Sequence, residues 1–208
     1  MIPLFVDCSG RRVVIFGGGE VAFRKARNFL PEADVSMFSR SFVKKFSDLP
    51  AEKLKLDVKS ATDEEISSIL SGSFVVVAAL SDPDQNNRIG RLCREQSILF
   101  NNADGDTGNV IVPSVSRGEH YTLAISTGGS SPAVSRFIRE HFESEFPALD
   151  AMIALQKELR EELKKKEPSQ PKRNAILHEV LHDDAVWRAL EKDPALARKK
   201  VFRRYLHG

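Results

Sequence analysis

Apolar positions in the first hundred residues come in short runs that switch between two periods. Arg12–Phe16 is a β-branched run ending at three glycines, after which Val21, Ala22, Ala26, Phe29 and Leu30 recur at helical spacing. That pattern predicts strand, tight turn, helix. Asp34–Phe38 alternates as a second strand and Leu54–Val58 reads as a third. Phe74–Ala79 is unbroken apolar sequence, as in strands buried on both faces of a parallel sheet. Helical segments at Asp63–Leu70 and Asp84–Glu95 separate the later runs, and Ile98–Asn101 is the next strand. Regular alternation of this kind predicts an α/β fold with a Rossmann-type doubly wound parallel sheet.

Past Gly108 the pattern changes. Val110–Val112 and Tyr121–Ser126 read as short strands around the turn signal Arg117-Gly118-Glu119, and from Pro132 the chain is helical almost to its end, with breaks at Pro147 and Pro168–Arg173. The expected organisation is a nucleotide-binding domain at 1–112, a small α+β region at 113–147 and a helical C-terminal domain at 148–208.

Composition narrows the possibilities. The 31 Lys and Arg nearly balance 29 Asp and Glu, so a formal net charge of +2 gives no global field for nucleic acid. Cys8 and Cys93 are too few for a disulfide framework and lack zinc-site spacing, which fits a reducing cytoplasm. The longest apolar run, Phe74–Leu80, is far shorter than a membrane span, and Met1–Cys8 has no basic leader region, so a soluble, unprocessed chain is expected.

The chemistry concentrates at loops. Gly17-Gly18-Gly19-Glu20-Val21-Ala22 satisfies G-x-G-x-x-A between a strand and a helix. Gly17 permits the turn, Gly19 lets backbone approach a diphosphate, Ala22 allows close helix packing, and the helix start offers free N–H groups. The acidic residue that should grip a ribose about 20 positions later is missing, because the second strand ends in Ser39-Arg40-Ser41. Ser39 or Ser41 could bond a ribose and Arg40 could accept a 2′-phosphate, so NAD and NADP both remain open on these grounds. Arg24, Lys25 and Arg27 read as a solvated basic face more readily than as phosphate ligands.

Two further strand ends should edge the same crevice. One carries Ala79-Leu80-Ser81-Asp82, with Asp82 or Ser81 as helix cap; the other carries Asn101-Asn102-Ala103-Asp104, where the Asp104 carboxylate could accept a proton as hydride leaves a substrate. Ser126-Thr127-Gly128-Gly129-Ser130-Ser131-Pro132 is a second Gly-rich turn entering a helix, and with Arg117, Arg136 and Arg139 it could receive an acidic substrate. His178-Glu179-Val180-Leu181-His182 matches H-E-x-x-H, but in a charged helix without protease surroundings it is read as coincidence, and no metal site is expected. The Arg198-Lys199-Lys200 and Arg203-Arg204 cluster reads as a helix end.

Taken together, Ile2-Pro3-Leu4-Phe5, the glycine stretch with Arg24-Lys25-Ala26, Ala78-Ala79-Leu80-Ser81-Asp82, Phe100-Asn101-Asn102-Ala103-Asp104 and Ala124–Pro132 resemble, in order and spacing over about 1–146, the precorrin-2 dehydrogenase family, which also forms the N-terminal part of siroheme synthases. The resemblance implies NAD-dependent oxidation of precorrin-2 to sirohydrochlorin, a dimerising middle region and a homodimer. Some members also insert Fe2+ into sirohydrochlorin. By the same resemblance Asp104 is the catalytic carboxylate, with Asp106 able to share its work. Gly17, Gly18, Gly19, Glu20, Val21, Ser39, Arg40, Ser41, Ala79 and Asp82 are expected at the cofactor, and Asn101, Ser130, Ser131, Arg117 and Arg136 at the substrate. No methyltransferase domain follows in the 208 residues, so precorrin-2 would come from another protein. The alternative from a different class is a non-catalytic NAD-sensing regulatory module.

Overall fold

The structure, a computed structural model, describes residues 1–106 and 108–206. By its internal contacts the chain divides into two compact units, Met1–Val112 and Pro113–Gly208. In the first unit, strands β1 (Arg12–Phe16), β2 (Asp34–Ser39), β3 (Glu52–Lys55), β4 (Val75–Ala78) and β5 (Leu99–Asn102) form one sheet in the order β3-β2-β1-β4-β5, every pairing parallel. Helices α1 (Glu20–Phe29), α2 (Asp63–Leu70) and α3 (Pro83–Glu95) connect them.

Alternation along the central strands builds two cores. Val13, Ile15, Val75 and Val77 pack with Ala22 and Ala26 of α1 on one face. Val14, Phe16, Val76 and Ala78 pack with Ile66 and Leu70 of α2 and Ile89 and Leu92 of α3 on the other. Burial on both faces is the reason β1 and β4 read as continuous apolar runs. The chain order reverses direction between β1 and β4, and a crevice opens beyond the carboxyl ends of strands at such a switch point.

Two expected strands are displaced. The third lies at Glu52–Lys55 rather than Leu54–Val58, since its ladder with β2 ends at the Ser39–Lys55 pair and the chain turns at Asp57. All four β3 residues are exposed, so no alternation marks this edge strand. Val110–Val112 is not a strand; the strand is β6 (Ser114–Arg117), past Pro113. Beside β5, the Asn109 side chain stands in for a neighbouring backbone: its Oδ1 accepts from Phe100 N at 2.6 Å and its Nδ2 donates to Ile98 O at 3.3 Å. Val110 then makes a single backbone bond to β5 among the described residues, its N–H donating to Phe100 O at 3.1 Å. Pro113 lacks an N–H and restricts Val112 before it, so pairing resumes only beyond it.

In the second unit β6 pairs antiparallel with β7 (Thr122–Ile125), followed by α4 (Pro132–Glu145) and helices α5 (Leu149–Lys166), α6 (Gln170–Leu181), α7 (Asp184–Lys192) and α8 (Pro194–Leu206). Asp150 of α5 ties the hairpin turn to the helices, its carboxylate accepting from Glu119 N at 3.0 Å and His120 N at 2.8 Å. Met152, Leu155, Leu159 and Leu163 on one face of α5 pack with Val180, Leu190, Ala197, Val201 and Phe202. The helical stretch has two breaks beyond those expected, at Asp183 and Asp193, and each aspartate accepts from a backbone N–H of the following helix. Gln170–Arg173, expected within a break, is instead the first turn of α6, where Pro171 is tolerated. No helix among the described residues is long and apolar enough to cross a membrane.

Candidate active site

A cavity of about 620 Å3 lies at the carboxyl ends of the parallel strands, a size in the usual range for small-molecule sites. Its floor is the glycine turn. Gly17 has φ +128, a conformation that side chains disfavour, and a Cβ there would strike Ala79 O. A Cβ on Gly18 would strike Ser41 O and approach the Ser39 hydroxyl to 2.8 Å. The turn is thus seated against both neighbouring strand ends. Gly19 differs, because a Cβ there meets nothing within 4 Å; the protein itself does not require glycine at this position. Gly19 is also the N-cap of α1 and supplies no side-chain cap, so the first N–H groups of the helix await an external acceptor. An open backbone cradle at a bare helix start fits a dinucleotide diphosphate.

The remaining walls come from four strand ends. Ser39, Arg40 and Ser41 follow β2; Asp57, Val58 and Lys59 follow β3; Ala79, Ser81 and Asp82 follow β4; Ala103 and Asp104 follow β5. Glu20 and Val21 complete the rim, with Glu20 paired to Lys45 at 3.0 Å. Asp82 caps α3, its Oδ1 accepting from Asp84 N at 3.1 Å and Gln85 N at 3.3 Å, so its lining position coincides with a structural task.

Asp104 sits on an exposed loop that is fastened from below. Asn86 of α3 is fully buried; its Oδ1 accepts from Leu80 N at 3.0 Å, and its Nδ2 donates to Leu80 O at 3.1 Å and Asp104 O at 2.9 Å. One amide therefore staples the loop after β4 to the loop after β5. Asn87 continues the brace, its Oδ1 accepting from Asn102 Nδ2 at 3.0 Å and Asp106 N at 2.8 Å. These two asparagines escaped the sequence reading, whose only available hint was a pair of amides on an otherwise amphipathic helix.

Of the residues expected at the substrate, Asn101 is buried in the first unit, donates to Val110 O at 2.9 Å and does not line the cavity. Its Oδ1 has no partner among the described residues. Ser130, Ser131, Arg117 and Arg136 belong to the second unit. There Ser131 Oγ caps α4 through Val134 N at 3.3 Å, Arg136 pairs with Glu140 at 2.7 Å and Arg139 with Glu143 at 2.7 Å. His178 and His182 stack with centroids 3.9 Å apart, and Glu179 between them is engaged by Arg204 and Tyr205. Among the described residues no group of three or more His, Cys, Asp or Glu could hold a metal ion.

Comparison with known proteins agrees with the shape of the cleft. Residues 4–114 match the family model NAD_binding_7, described as "Putative NAD(P)-binding". Over 206 residues the chain is 37% identical to precorrin-2 dehydrogenase of Methanosarcina barkeri, covering 97% of this chain and 92% of that protein. The chain belongs to the precorrin-2 dehydrogenase family. Within that family it is also similar to the siroheme synthase of Citrobacter koseri, at 27% identity over 96% of this chain but 44% of the longer relative. The solved structure of SirC, precorrin-2 dehydrogenase, matches the fold along the full length of both chains with a TM-score of 0.72 at 22% identity.

Proposed function

We propose that the chain is an NAD-dependent precorrin-2 dehydrogenase that oxidises precorrin-2 to sirohydrochlorin in siroheme biosynthesis, working in the cytoplasm as a homodimer. The observation that carries this reading is the convergence of the open Gly19 cradle and the Asp104 carboxylate on one cavity, in a chain 37% identical to a precorrin-2 dehydrogenase over nearly its whole length. Bound NAD+ supplies the hydride acceptor. The chain supplies the rest: the Gly17–Val21 backbone holds the diphosphate, Ser39–Ser41 face the adenosine side, and Ala79 and Asp82 line the opposite wall. Asp104 takes the proton that must leave the substrate when a hydride does. Asn86 holds the Asp104 backbone in register. The substrate's several carboxylates call for cations and N–H donors, which the second unit carries at Ser130, Ser131, Arg117 and Arg136; Asn101, buried and bonded to Val110 O, is not among them.

The homodimer is supported by α4, where Val134, Phe137 and Ile138 form an exposed apolar stripe at helical spacing in the second unit. The test is anaerobic incubation with precorrin-2 and NAD+, following sirohydrochlorin absorbance. Turnover is expected in the native protein and its loss, with NAD+ affinity retained, in Asp104→Ala; undiminished turnover in that variant would remove Asp104 from the reaction. Parallel runs with Fe2+ as substrate read whether the chain also metallates sirohydrochlorin.

A further inference from the structure

The end of β2 holds no carboxylate, yet the adenosine side of the cleft is not without one. The β2–β3 ladder runs to the Ser39–Lys55 pair and is prolonged by Leu56 N donating to Ser39 O at 3.1 Å. The next residue, Asp57, therefore leaves the sheet at the same end as the glycine turn, and it lines the same cavity with Val58 and Lys59. Asp57 is exposed and oriented by its own turn, with Oδ1 accepting from Lys59 N at 3.1 Å. Oδ2 has no partner among the described residues.

Position across the sheet decides what such a carboxylate can meet. Parallel neighbours lie about 4.8 Å apart, so a diphosphate over β1 and α1 puts the adjoining ribose over β2, and the end of β3, about 10 Å out, falls under the base. At the sugar's place stand the hydroxyls of Ser39 and Ser41. At the base's place stands an acceptor. Adenine presents a 6-amino donor on its outer edge, whereas hypoxanthine presents a 6-oxo acceptor that a carboxylate repels.

We propose that Asp57 selects the adenine base of the dinucleotide by accepting a hydrogen bond from its 6-amino group. This rests on the reading of the cleft as a dinucleotide site. The assignment predicts a preference at the base, not at the ribose 2′ position.

Calorimetric titration of the full-length protein with NAD+, nicotinamide hypoxanthine dinucleotide and NADP+ tests it without turnover. The native protein is expected to bind NAD+ about tenfold or more tightly than the hypoxanthine analogue. Asp57→Ala should reduce that ratio to near unity and leave the ratio of NADP+ to NAD+ affinity unchanged. Asp57→Asn, whose amide can donate to a 6-oxo group, should tilt the preference toward the hypoxanthine analogue, which generalised damage to the site would not do. An unaltered base preference in both variants overturns the proposal, as does a native protein that fails to discriminate the bases. A change confined to the NADP+ ratio would overturn it in favour of a ribose contact. Absence of saturable binding of all three nucleotides would instead bring down the dinucleotide reading, and this inference with it.

Discussion

Adjacent glycines in the cleft answer to different constraints. Gly18 is demanded by the fold, since any Cβ there collides with the Ser41 backbone, while Gly19 faces open space. Gly18→Ala should therefore cost about 1–3 kcal/mol of stability through overpacking. Gly19→Val should cost no more than about 1 kcal/mol of stability, the penalty of a branched residue at the α1 N-cap, yet weaken NAD+ binding at least about tenfold by filling the place proposed for the diphosphate. Urea denaturation and nucleotide titration of the two variants separate these outcomes, and equal losses of affinity and stability in both would erase the distinction. Lys25 on α1 offers a second residue-level test. Burial, with Arg24 nearby, pushes its ammonium from the ordinary 10.5 down to about 8, while Nζ donates to the Val112 carbonyl at 3.4 Å. Below pH 8 the lysine is charged in folded and unfolded chains alike, and the burial penalty is fully in force. Between about 8 and 10.5 the unfolded chain holds a proton that the folded one has released, so this group makes stability rise with pH across that window. Lys25→Met should flatten the rise, read as urea midpoints of both proteins from pH 7.5 to 10.5.

At the scale of elements, the loops after β4 and β5 behave as one piece because Asn86 bonds to both. Asn86→Ala leaves the partly buried Leu80 N–H and the Leu80 and Asp104 carbonyls without this partner, at a cost of about 1–2 kcal/mol. If the asparagine acts through Asp104, its removal should lower kcat in the native background and add little in an Asp104→Ala background, a non-additivity that simple loss of packing would not produce. The sequence disclosed what depends on periodicity. β1, β4, α2 and the glycine turn were legible because their residues are buried on one face or two, or because Gly17 must adopt a positive φ. It hid what depends on long-range bonds. The edge strand β3 has no buried face to leave a pattern, and Asn109 usurps the pairing that Val110–Val112 would otherwise make. Asn86 acts across 18 residues to reach Asp104, and Asp57 enters the cleft only through the register of a neighbouring strand. No local signal encodes such partnerships.

At the scale of the whole molecule, the two units have separate hydrophobic cores, and the second exposes apolar surface that its own helices leave uncovered. Phe137 on α4 is 67% exposed, flanked by Val134 and Ile138. A charge in the middle of a self-complementary patch is costly to both copies of a symmetric pair. Phe137→Glu should accordingly shift the sedimenting species from dimer to monomer while leaving the helical content unchanged, and a native protein that sediments as a monomer would end the homodimer assignment.

The side chain of Asn109 has a consequence for how the protein behaves in a crowd. A five-stranded open sheet has two borders, each able to recruit a foreign strand and begin a fibre. One border, β3, is short and carries Glu52, Lys53 and Lys55, charges that discourage stacking. The other, β5, is buried at its centre, and beside it the Asn109 amide occupies Phe100 N and Ile98 O, plugging hydrogen-bonding sites a visiting strand would need. A single asparagine thereby acts as a guard against self-assembly, and its loss would be felt first as turbidity on storage.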